Sequence, residues 1–442
     1  MHTLEQLRRG ELAGITRLDL SAELREFPRE IFDLADSLEV LNLSANQLTS
    51  LPAELPRLHK LRVLFCSDNP FTELPEVLGD CPQLEMVGFK ANRLRHLPAA
   101  ALPKALRWLI LSDNQLDRLP QELGDCPRLQ KLMLAGNRLS ALPDSLAACS
   151  NLELLRIAAN RLDGLPDWLL HLPRLSWLAF AGNPFSDREE ALALARHPHP
   201  PIPRTQLALG ELLGQGASGM IHRAQWARPG QPPQAMAAKL FRGALTSDGL
   251  PHSEMAACLA AGDHPNLIRV AGPLAEQAGA PAGLLLELIE PSHQVLAGPP
   301  SLASCTRDTY AAERRFSLAE ALRIARGAAA AVAHLHAQGI LHGDLYAHNL
   351  LVNPHGDCLL GDFGAASFFA PHNAAGAALQ RVEVRAFGCL LEELLQRCAP
   401  SDKADQQAAL WQLHGQCMAP LNEQRPDFAE ILAQLDSPRL HG

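Results

Sequence analysis

The stretch LEVLNLSAN, residues 38–46, opens a pattern that repeats through the first half of the chain. Its residues follow the spacing LxxLxLxxN, and a second leucine-rich run with a Leu-Pro or Phe-Pro pair accompanies most units. The terminal Asn recurs at intervals of 22 or 23 residues, at Asn46, Asn69, Asn92, Asn114, Asn137, Asn160 and Asn183. A period of this length, held over so many units, indicates a stacked repeat architecture.

The residue types explain how such units stack. Each unit predicts one short strand, whose leucines point inward and pack on the next unit. The Asn is expected to be buried and to hydrogen-bond backbone groups that would otherwise be unpaired. The Pro turns the chain onto the opposite side without leaving a donor unsatisfied. The pattern resembles the leucine-rich repeat, which implies an α/β solenoid with a curved parallel sheet, and we expect it over residues 1–195.

Alternate side chains of the predicted strands face solvent on the concave side of such a sheet. Many of them are large and apolar, namely Phe65, Met86, Trp108, Ile110, Met133, Leu154 and Trp177. Strand-forming preference explains the valines at neighbouring positions, but it explains the tryptophans poorly. We therefore expect a docking surface for a protein partner or substrate. The chain's own second half is the less favoured occupant, because the Pro-rich linker at residues 196–204 is short.

Composition excludes several classes of function. The formal net charge of -9 gives no support for a nucleic-acid or anionic-membrane partner. The ten cysteines include no CxxC pair, so neither a zinc site nor a disulfide framework is indicated. The sequence shows neither a secretory signal at its start nor an apolar run long enough to span a membrane. We expect a cytoplasmic protein or, alternatively, a secreted effector that acts inside a host cell.

The second half contains the string HGDLYAHN at residues 342–349, followed by GDFG at residues 361–364. An Asp, an Asn five residues later and a second Asp beyond them suit phosphoryl transfer. Asp344 could accept the proton of an attacking hydroxyl, while Asn349 and Asp362 could hold Mg²⁺. These residues are the predicted catalytic and metal-binding groups of the chain.

Upstream lies a GxGxxG string formed by Gly214, Gly216 and Gly219. A dinucleotide fold uses the same glycines, but it requires a helix at the third glycine, whereas strand-like alternation follows here. A glycine hairpin that covers nucleotide phosphates is therefore favoured. Lys239 lies in an apolar strand, where it needs anionic partners such as Glu254 and a phosphate. The next apolar strand ends near Glu287 and Ile289, where backbone groups could meet an adenine ring.

Taken as a set, these motifs stand in the order and rough spacing of protein kinases. The resemblance covers about residues 205–437 and implies an α+β two-lobed domain that uses ATP and Mg²⁺. It adds Ile221 and Ala237 to the expected nucleotide contacts, and Lys239 to the catalytic residues. It also likens residues 383–388 to the start of a helix in the large lobe. With the repeats, the chain resembles a leucine-rich-repeat serine/threonine kinase of bacterial type.

Several departures from the kinase pattern leave alternatives open. Gly343 replaces the usual Arg, and Tyr346 stands where serine/threonine kinases place a Lys. No basic side chain is evident beside the transferred phosphate. The string HGDLxxxN also resembles aminoglycoside and choline phosphotransferases, and a pseudokinase scaffold is a third interpretation. Since Ser367 is the only hydroxyl between Gly364 and Glu383, we predict activity without phosphorylation of this short segment.

Overall fold

A computed structural model describes residues 2–216, 218–243, 245–246, 248–399 and 403–441 of the protein. The chain forms two compact units, Met1–Arg174 and Leu175–Gly442. The division falls before the last predicted repeat, so that the strand of this repeat belongs to the second unit.

The first unit is built from the repeats. It begins with helix α1 (Leu4–Arg8), capped by Thr3, and its strands pair in parallel and in register. The strands are β1 (Arg17–Asp19), β2 (Val40–Asn42), β3 (Val63–Phe65), β4 (Met86–Gly88), β5 (Trp108–Ile110), β6 (Lys131–Met133) and β7 (Leu154–Arg156). Short 3-10 helices return the chain at Arg29–Leu34, Leu55–Arg57, Glu76–Asp80, Ala99–Ala101, Gln121–Asp125, Asp144–Ala148 and Asp167–His171. The predicted solenoid is confirmed, and the strands of this unit pair in parallel in chain order.

The Asn of each repeat has the predicted role. The Asn137 side chain is buried, and its Nδ2 donates to the carbonyls of Leu111 and Leu134, both at 2.9 Å. Its Oδ1 accepts from the Leu116 amide at 3.0 Å. Corresponding bonds recur in neighbouring repeats, for example at Asn46 and Asn160. Asn137 thus satisfies a carbonyl of its own repeat together with a carbonyl and an amide of the preceding repeat, which stabilises the stacking.

The second unit opens with strand β8 (Trp177–Ala179), helix α2 (Pro184–Arg196) and a 3-10 turn at Arg204–Gln206. An antiparallel sheet follows, in the order β12-β13-β11-β10-β9. Its strands are β9 (Leu207–Gln215), β10 (Gly219–Trp226), β11 (Gln234–Phe241), β12 (Val270–Pro273) and β13 (Gly283–Glu287), with helix α3 (Pro251–Ala260) between β11 and β12. Ile202, in the predicted linker, is buried in the core of this sheet and pairs with Leu274. The end of the linker is therefore docked rather than free.

The large lobe is mainly helical. Helix α4 (Leu318–Ala337) begins at the predicted cap Ser317, whose Oγ accepts from the Glu320 amide at 3.1 Å. The remaining elements are β14 (Gln294–Val295), β15 (Ile340–Leu341), β16 (Leu350–Val352), β17 (Cys358–Leu360), β18 (Ser367–Phe368), α5 (Ala374–Gln396), α6 (Ala404–Cys417), α7 (Phe428–Leu435) and α8 (Pro438–His441), with 3-10 turns at Ala347–Asn349 and Asn422–Gln424. Among the described residues, no helix is long and apolar enough to cross a membrane.

One predicted boundary is wrong. Residues 383–388 were expected to start a helix, but α5 begins at Ala374, where the Asn373 side chain caps the Gly376 amide at 2.7 Å. The alanines that follow Asn373 favour helix and extend it backward. Glu383 consequently lies in the interior of α5, and only a short segment connects Gly364 to the helix.

Candidate active site

The catalytic loop joins β15 to β16 and holds Asp344 and Asn349 together. The Asn349 Nδ2 atom donates to the backbone oxygen of Asp344 at 2.9 Å and to its Oδ2 atom at 2.8 Å. The 3-10 turn at Ala347–Asn349 brings the Asn back toward the Asp. Since Nδ2 is committed to Asp344, the Oδ1 atom of Asn349 is the one that can ligate a cation.

Glu383 fixes the start of this loop from inside α5. Its carboxylate accepts from the amides of Gly343 at 2.7 Å and His342 at 3.3 Å, and from the His336 Nε2 atom at 2.7 Å. Burial alone would raise the pKa of Glu383, but the hydrogen bond from His336 and the charge of that ring hold the pKa below its ordinary value. The carboxylate therefore stays ionised and anchors the loop backbone. Sequence reasoning noted Glu383 only as part of a helix motif.

Asp362 lies next to the catalytic loop. The Gly361 amide donates to the Asn349 carbonyl at 3.0 Å, and the His342 ring bonds the Gly361 carbonyl at 2.9 Å. Asp362 itself has a φ of 54°, and its Oδ1 atom accepts from the Gly364 amide at 3.1 Å. The side chain is exposed, which leaves carboxylate oxygen available for Mg²⁺ beside Asn349.

Lys239 on β11 forms an ion pair with Glu254 on α3, as the sequence predicted. Burial lowers the pKa of Lys239, but the Glu254 and Asp362 carboxylates outweigh it and raise that pKa, so the ammonium stays charged. Glu254 Oε2 lies 3.9 Å from the position that a Cβ atom would take on Gly364. The ion pair and the Asp362-Phe363-Gly364 segment thus converge on one region of the second unit.

The glycine string forms the predicted hairpin between β9 and β10. Gly214 pairs with Ile221, and the Gly216 amide donates to the Gly219 carbonyl at 2.9 Å. A Cβ on Gly219 would lie 2.3 Å from the Leu240 carbonyl, whereas Gly214 and Gly216 have no atom within 4 Å of that position. The first two glycines therefore leave open space where a side chain would otherwise lie, which suits close approach of phosphate groups.

The remaining predicted nucleotide contacts lie on adjacent strands. Ile221 pairs with Lys239 across β10 and β11, and Ala237 pairs with Leu286 across β11 and β13. The Glu287 amide donates to the Arg269 carbonyl at 2.9 Å, so this amide is not available to a base. Ile289 follows the end of β13. The arrangement of these residues fits a nucleotide cleft, and their contacts with ATP stay a prediction.

A basic group that sequence reasoning missed lies in the catalytic loop. The His348 Nδ1 atom bonds Asp308 Oδ1 at 2.7 Å, and the His348 amide donates to Asp308 Oδ2 at 2.9 Å. Burial lowers the pKa of His348, but Asp308, together with the charges of Asp344 and Asp362, raises it overall. A basic side chain bonded to Asp308 thus lies in the same loop as Asp344. Asp308 belongs to an irregular segment with no recognisable motif, which is why the sequence did not reveal the pair.

Trp177 requires a correction. It was predicted to face a separate protein, but its indole is only 1% exposed and is stacked on Tyr346, with ring centroids 4.3 Å apart and planes 6° apart. Its Nε1 atom donates to the Leu345 carbonyl at 3.0 Å. Trp177 is therefore covered by the catalytic loop of its own chain and is not available to another protein.

The other residues of the predicted docking surface differ in exposure. Met86, Met133 and Leu154 are buried, so these three side chains are not part of an exposed docking surface as expected. Phe65, Trp108 and Ile110 keep partly exposed side chains. The rings of Phe65 and Trp108 pack edge to face, with centroids 6.4 Å apart. Binding of a partner by these three residues stays a prediction.

Comparison with known proteins supports the two-part organisation. Residues 207–385 match the protein tyrosine and serine/threonine kinase family. Residues 82–139 and 127–185 match a leucine rich repeat family, and residues 36–79 match a family of two-copy leucine rich repeats.

Two curated relatives each match a little over a third of the chain. CBL-interacting protein kinase 22 of Oryza sativa subsp. japonica is 30% identical over 190 residues, which are 38% of this chain and 38% of the relative. Ephrin type-B receptor 3 of Homo sapiens is 27% identical over 161 residues, which are 36% of this chain and 15% of the relative. The chain thus spans less than half the length of both relatives. It carries leucine-rich repeats followed by a protein kinase domain of the tyrosine and serine/threonine class.

Proposed function

We propose that the chain is an ATP- and Mg²⁺-dependent protein kinase that phosphorylates Ser or Thr hydroxyls. The observation that carries this proposal is the convergence of Asp344, Asn349 and Asp362 with the Lys239–Glu254 ion pair. A scaffold without activity would not need an ionised lysine, an exposed carboxylate and a positioned amide in one region.

The residues present fit the cofactors. Gly214 and Gly216 leave open space beside the hairpin for phosphates, and the charged Lys239 offers a cation. Asn349 Oδ1 and the Asp362 carboxylate are hard oxygen ligands of the kind that Mg²⁺ prefers. When bound, Mg²⁺ neutralises phosphate charge that would otherwise repel the attacking hydroxyl.

The protein side of the reaction follows from this geometry. The acceptor oxygen forms a bond to the terminal phosphorus of ATP, and the bond from that phosphorus to the ADP oxygen breaks. Asp344 takes the acceptor's proton, and the hydrogen bond from Asn349 holds its carboxylate in place. His348, whose Nδ1 atom bonds Asp308, lies in the same loop and is the basic group that the sequence alone did not reveal.

Two finer parts of the proposal have separate grounds. Preference for Ser or Thr rests on the sequence resemblance, and the matched family includes tyrosine kinases as well. Recruitment of a protein partner rests on the repeats and on the partly exposed Phe65, Trp108 and Ile110. Trp108 is the best candidate for a binding hot spot among them, because large aromatic side chains dominate such surfaces.

The test uses purified full-length protein with labelled ATP, Mg²⁺ and a generic protein acceptor. We expect label on Ser or Thr of the acceptor or of the protein itself. Asp344→Asn should retain nucleotide binding and lose at least about 100-fold in turnover. Lys239→Met should also lower turnover. The control is Asp357→Asn, which removes an exposed carboxylate on the turn between β16 and β17 and should leave turnover unchanged.

Other outcomes would refute particular parts of the proposal. Label found only on Tyr would refute the Ser/Thr assignment. Label found only on an added aminoglycoside or choline would show a small-molecule phosphotransferase. Absence of nucleotide binding would show a scaffold.

A further inference from the structure

The final repeat contacts the catalytic machinery within the second unit. Trp177, on β8, stacks on Tyr346 and donates its indole N–H to the carbonyl of Leu345. Leu345 directly follows Asp344, so the hydrogen bond reaches the backbone one residue from the proposed base. Both aromatic rings are almost fully buried, and the Leu345 side chain is 1% exposed. Strand β8 thus packs on the catalytic loop within the second unit.

The same repeat contacts the segment that follows Gly364. The Ser367 Oγ atom accepts from the amides of Phe180 at 2.8 Å and Ala181 at 3.2 Å, and the Ser367 side chain has no exposed surface. Ser367 lies on β18, which pairs with β15 at the entrance to the catalytic loop. The final repeat therefore contacts both the catalytic loop, which follows β15, and strand β18, which pairs with β15.

A third contact ties the repeat to α5. The Arg385 Nη1 atom donates to Ser176 Oγ at 2.7 Å, and both side chains are buried. Arg385 lies two residues after Glu383, which anchors the amides of His342 and Gly343. Residues 176–181, which we name the final-repeat brace, thus bind the catalytic loop, the segment after Gly364 and α5.

We propose that the final-repeat brace is a permanent part of the kinase active site, and that Trp177 is a positioning residue for Asp344. This proposal rests on the proposed kinase function. The brace immobilises the segment after Gly364 through backbone amides and a serine hydroxyl, so no added phosphate is needed to order it. Because Ser367 is fully buried, its hydroxyl is also out of reach of a modifying enzyme.

The proposal changes where the catalytic unit begins. Sequence resemblance places the start of the kinase region near residue 205, but the brace lies before it. The compact unit found in the structure begins at Leu175 and includes the brace. Trp177 therefore serves the active site rather than a partner surface.

The experiment compares Trp177→Phe with wild type in the full-length protein. Phe keeps an aromatic ring against Tyr346 but removes the N–H donor and leaves the Leu345 carbonyl without its partner. We expect kcat to fall about ten-fold, which corresponds to one hydrogen bond of about 1.4 kcal/mol. KM for ATP should stay within about two-fold, because the indole contacts the loop rather than the nucleotide cleft. Amides of residues 342–349 should exchange hydrogen about ten-fold faster.

The matched control is Trp226→Phe. Trp226 lies at the end of β10, and its Nε1 atom donates to Gln206 Oε1 at 3.2 Å, so the variant loses an equivalent bond in the same unit. Its kcat and its exchange in residues 342–349 should match wild type.

An unchanged kcat in Trp177→Phe overturns the positioning role, even if exchange becomes faster. If wild type itself transfers no phosphoryl group, the proposed function fails, and the exchange measurement then decides the brace separately. Exchange in residues 342–349 equal to that of the Trp226→Phe control would in that case overturn it.

Discussion

Replacing Gly343 by Ala adds one methyl group where the catalytic loop meets the final-repeat brace. The Gly343 backbone has a φ of 74°, in the left-handed region that disfavours residues with a Cβ atom. The added Cβ would lie 2.5 Å from the Ala365 carbonyl oxygen and 2.7 Å from the Leu178 carbonyl oxygen. Both neighbours are backbone atoms of packed segments, so neither can rotate away.

Two costs add at this position. The left-handed conformation costs about 1–2 kcal/mol for a residue with a Cβ atom. Relieving the contacts with the two carbonyls requires backbone shifts of the kind that cost about 1–3 kcal/mol in packed cores. We therefore expect Gly343→Ala to lower the free energy of unfolding by about 2–5 kcal/mol, and Gly343→Arg, which restores the usual kinase residue, to be at least as harmful.

A matched variant separates the two costs. Gly230 also has a φ of 74°, but a Cβ there would meet no atom within 4 Å. Gly230→Ala should therefore lose only about 1–2 kcal/mol, the conformational part. The assay is urea unfolding of each full-length variant. Hydrogen exchange in a peptide from α5 monitors the transition, so that unfolding of the second unit is the event measured. Equal losses in the two variants would refute the contact between Gly343 and the brace.

Three further outcomes follow from the structure. Ser367→Ala should lower the free energy of unfolding of the second unit by about 2–4 kcal/mol, because two buried amides lose their acceptor; a loss below about 0.5 kcal/mol in urea unfolding would contradict this. Burial raises the pKa of Glu393 to about 7, above the value of about 4.3 for an unfolded chain. The contribution of Glu393 to the free energy of unfolding is therefore fully present below the lower pKa and is lost as pH rises through 7. In urea unfolding, the free energy of unfolding of the wild type should fall by about 3 kcal/mol between pH 4 and 8 because of Glu393. Glu393→Gln should abolish this fall, whereas Glu392→Gln should retain it. In the repeats, Asn137→Ala should cost about 2–3 kcal/mol because three buried backbone groups lose their partner, and Asn151→Ala, which removes one exposed bond, should cost less than about 1 kcal/mol by the same assay.

The periodic parts of the fold were predictable because their causes are local. A leucine spacing and a buried Asn dictate each repeat, and the observed strands and Asn bonds agree with them. The cap at Ser317 and the pairing of Lys239 with Glu254 were predictable for a similar reason. A capping box acts within one turn, and a lysine in an apolar strand requires a nearby carboxylate.

The supporting contacts of the site were not predictable from the sequence. The pair of Asp308 with His348 joins an irregular segment to the catalytic loop across 40 positions of the chain, and the segment around Asp308 carries no motif. Trp177 carried a real signal, since a tryptophan at a solvent-facing strand position requires a covering surface. The sequence therefore predicted that Trp177 is buried by a contact, but it did not identify Tyr346 of the same chain as the residue in that contact.

Three departures from the kinase pattern share one physical cause. Gly343 replaces an Arg because a side chain there would collide with the Leu178 carbonyl of the brace. Tyr346 replaces a Lys at a position that is buried under Trp177, where an aromatic ring stacks well and an ammonium group would lose its hydration. The segment after Gly364 is short, and the brace already holds it through Ser367. Considered singly, each departure argues against a functional kinase. Since all three lie at the final-repeat brace, they are better explained as the adaptation of one proposed active site to a brace that is part of the same chain.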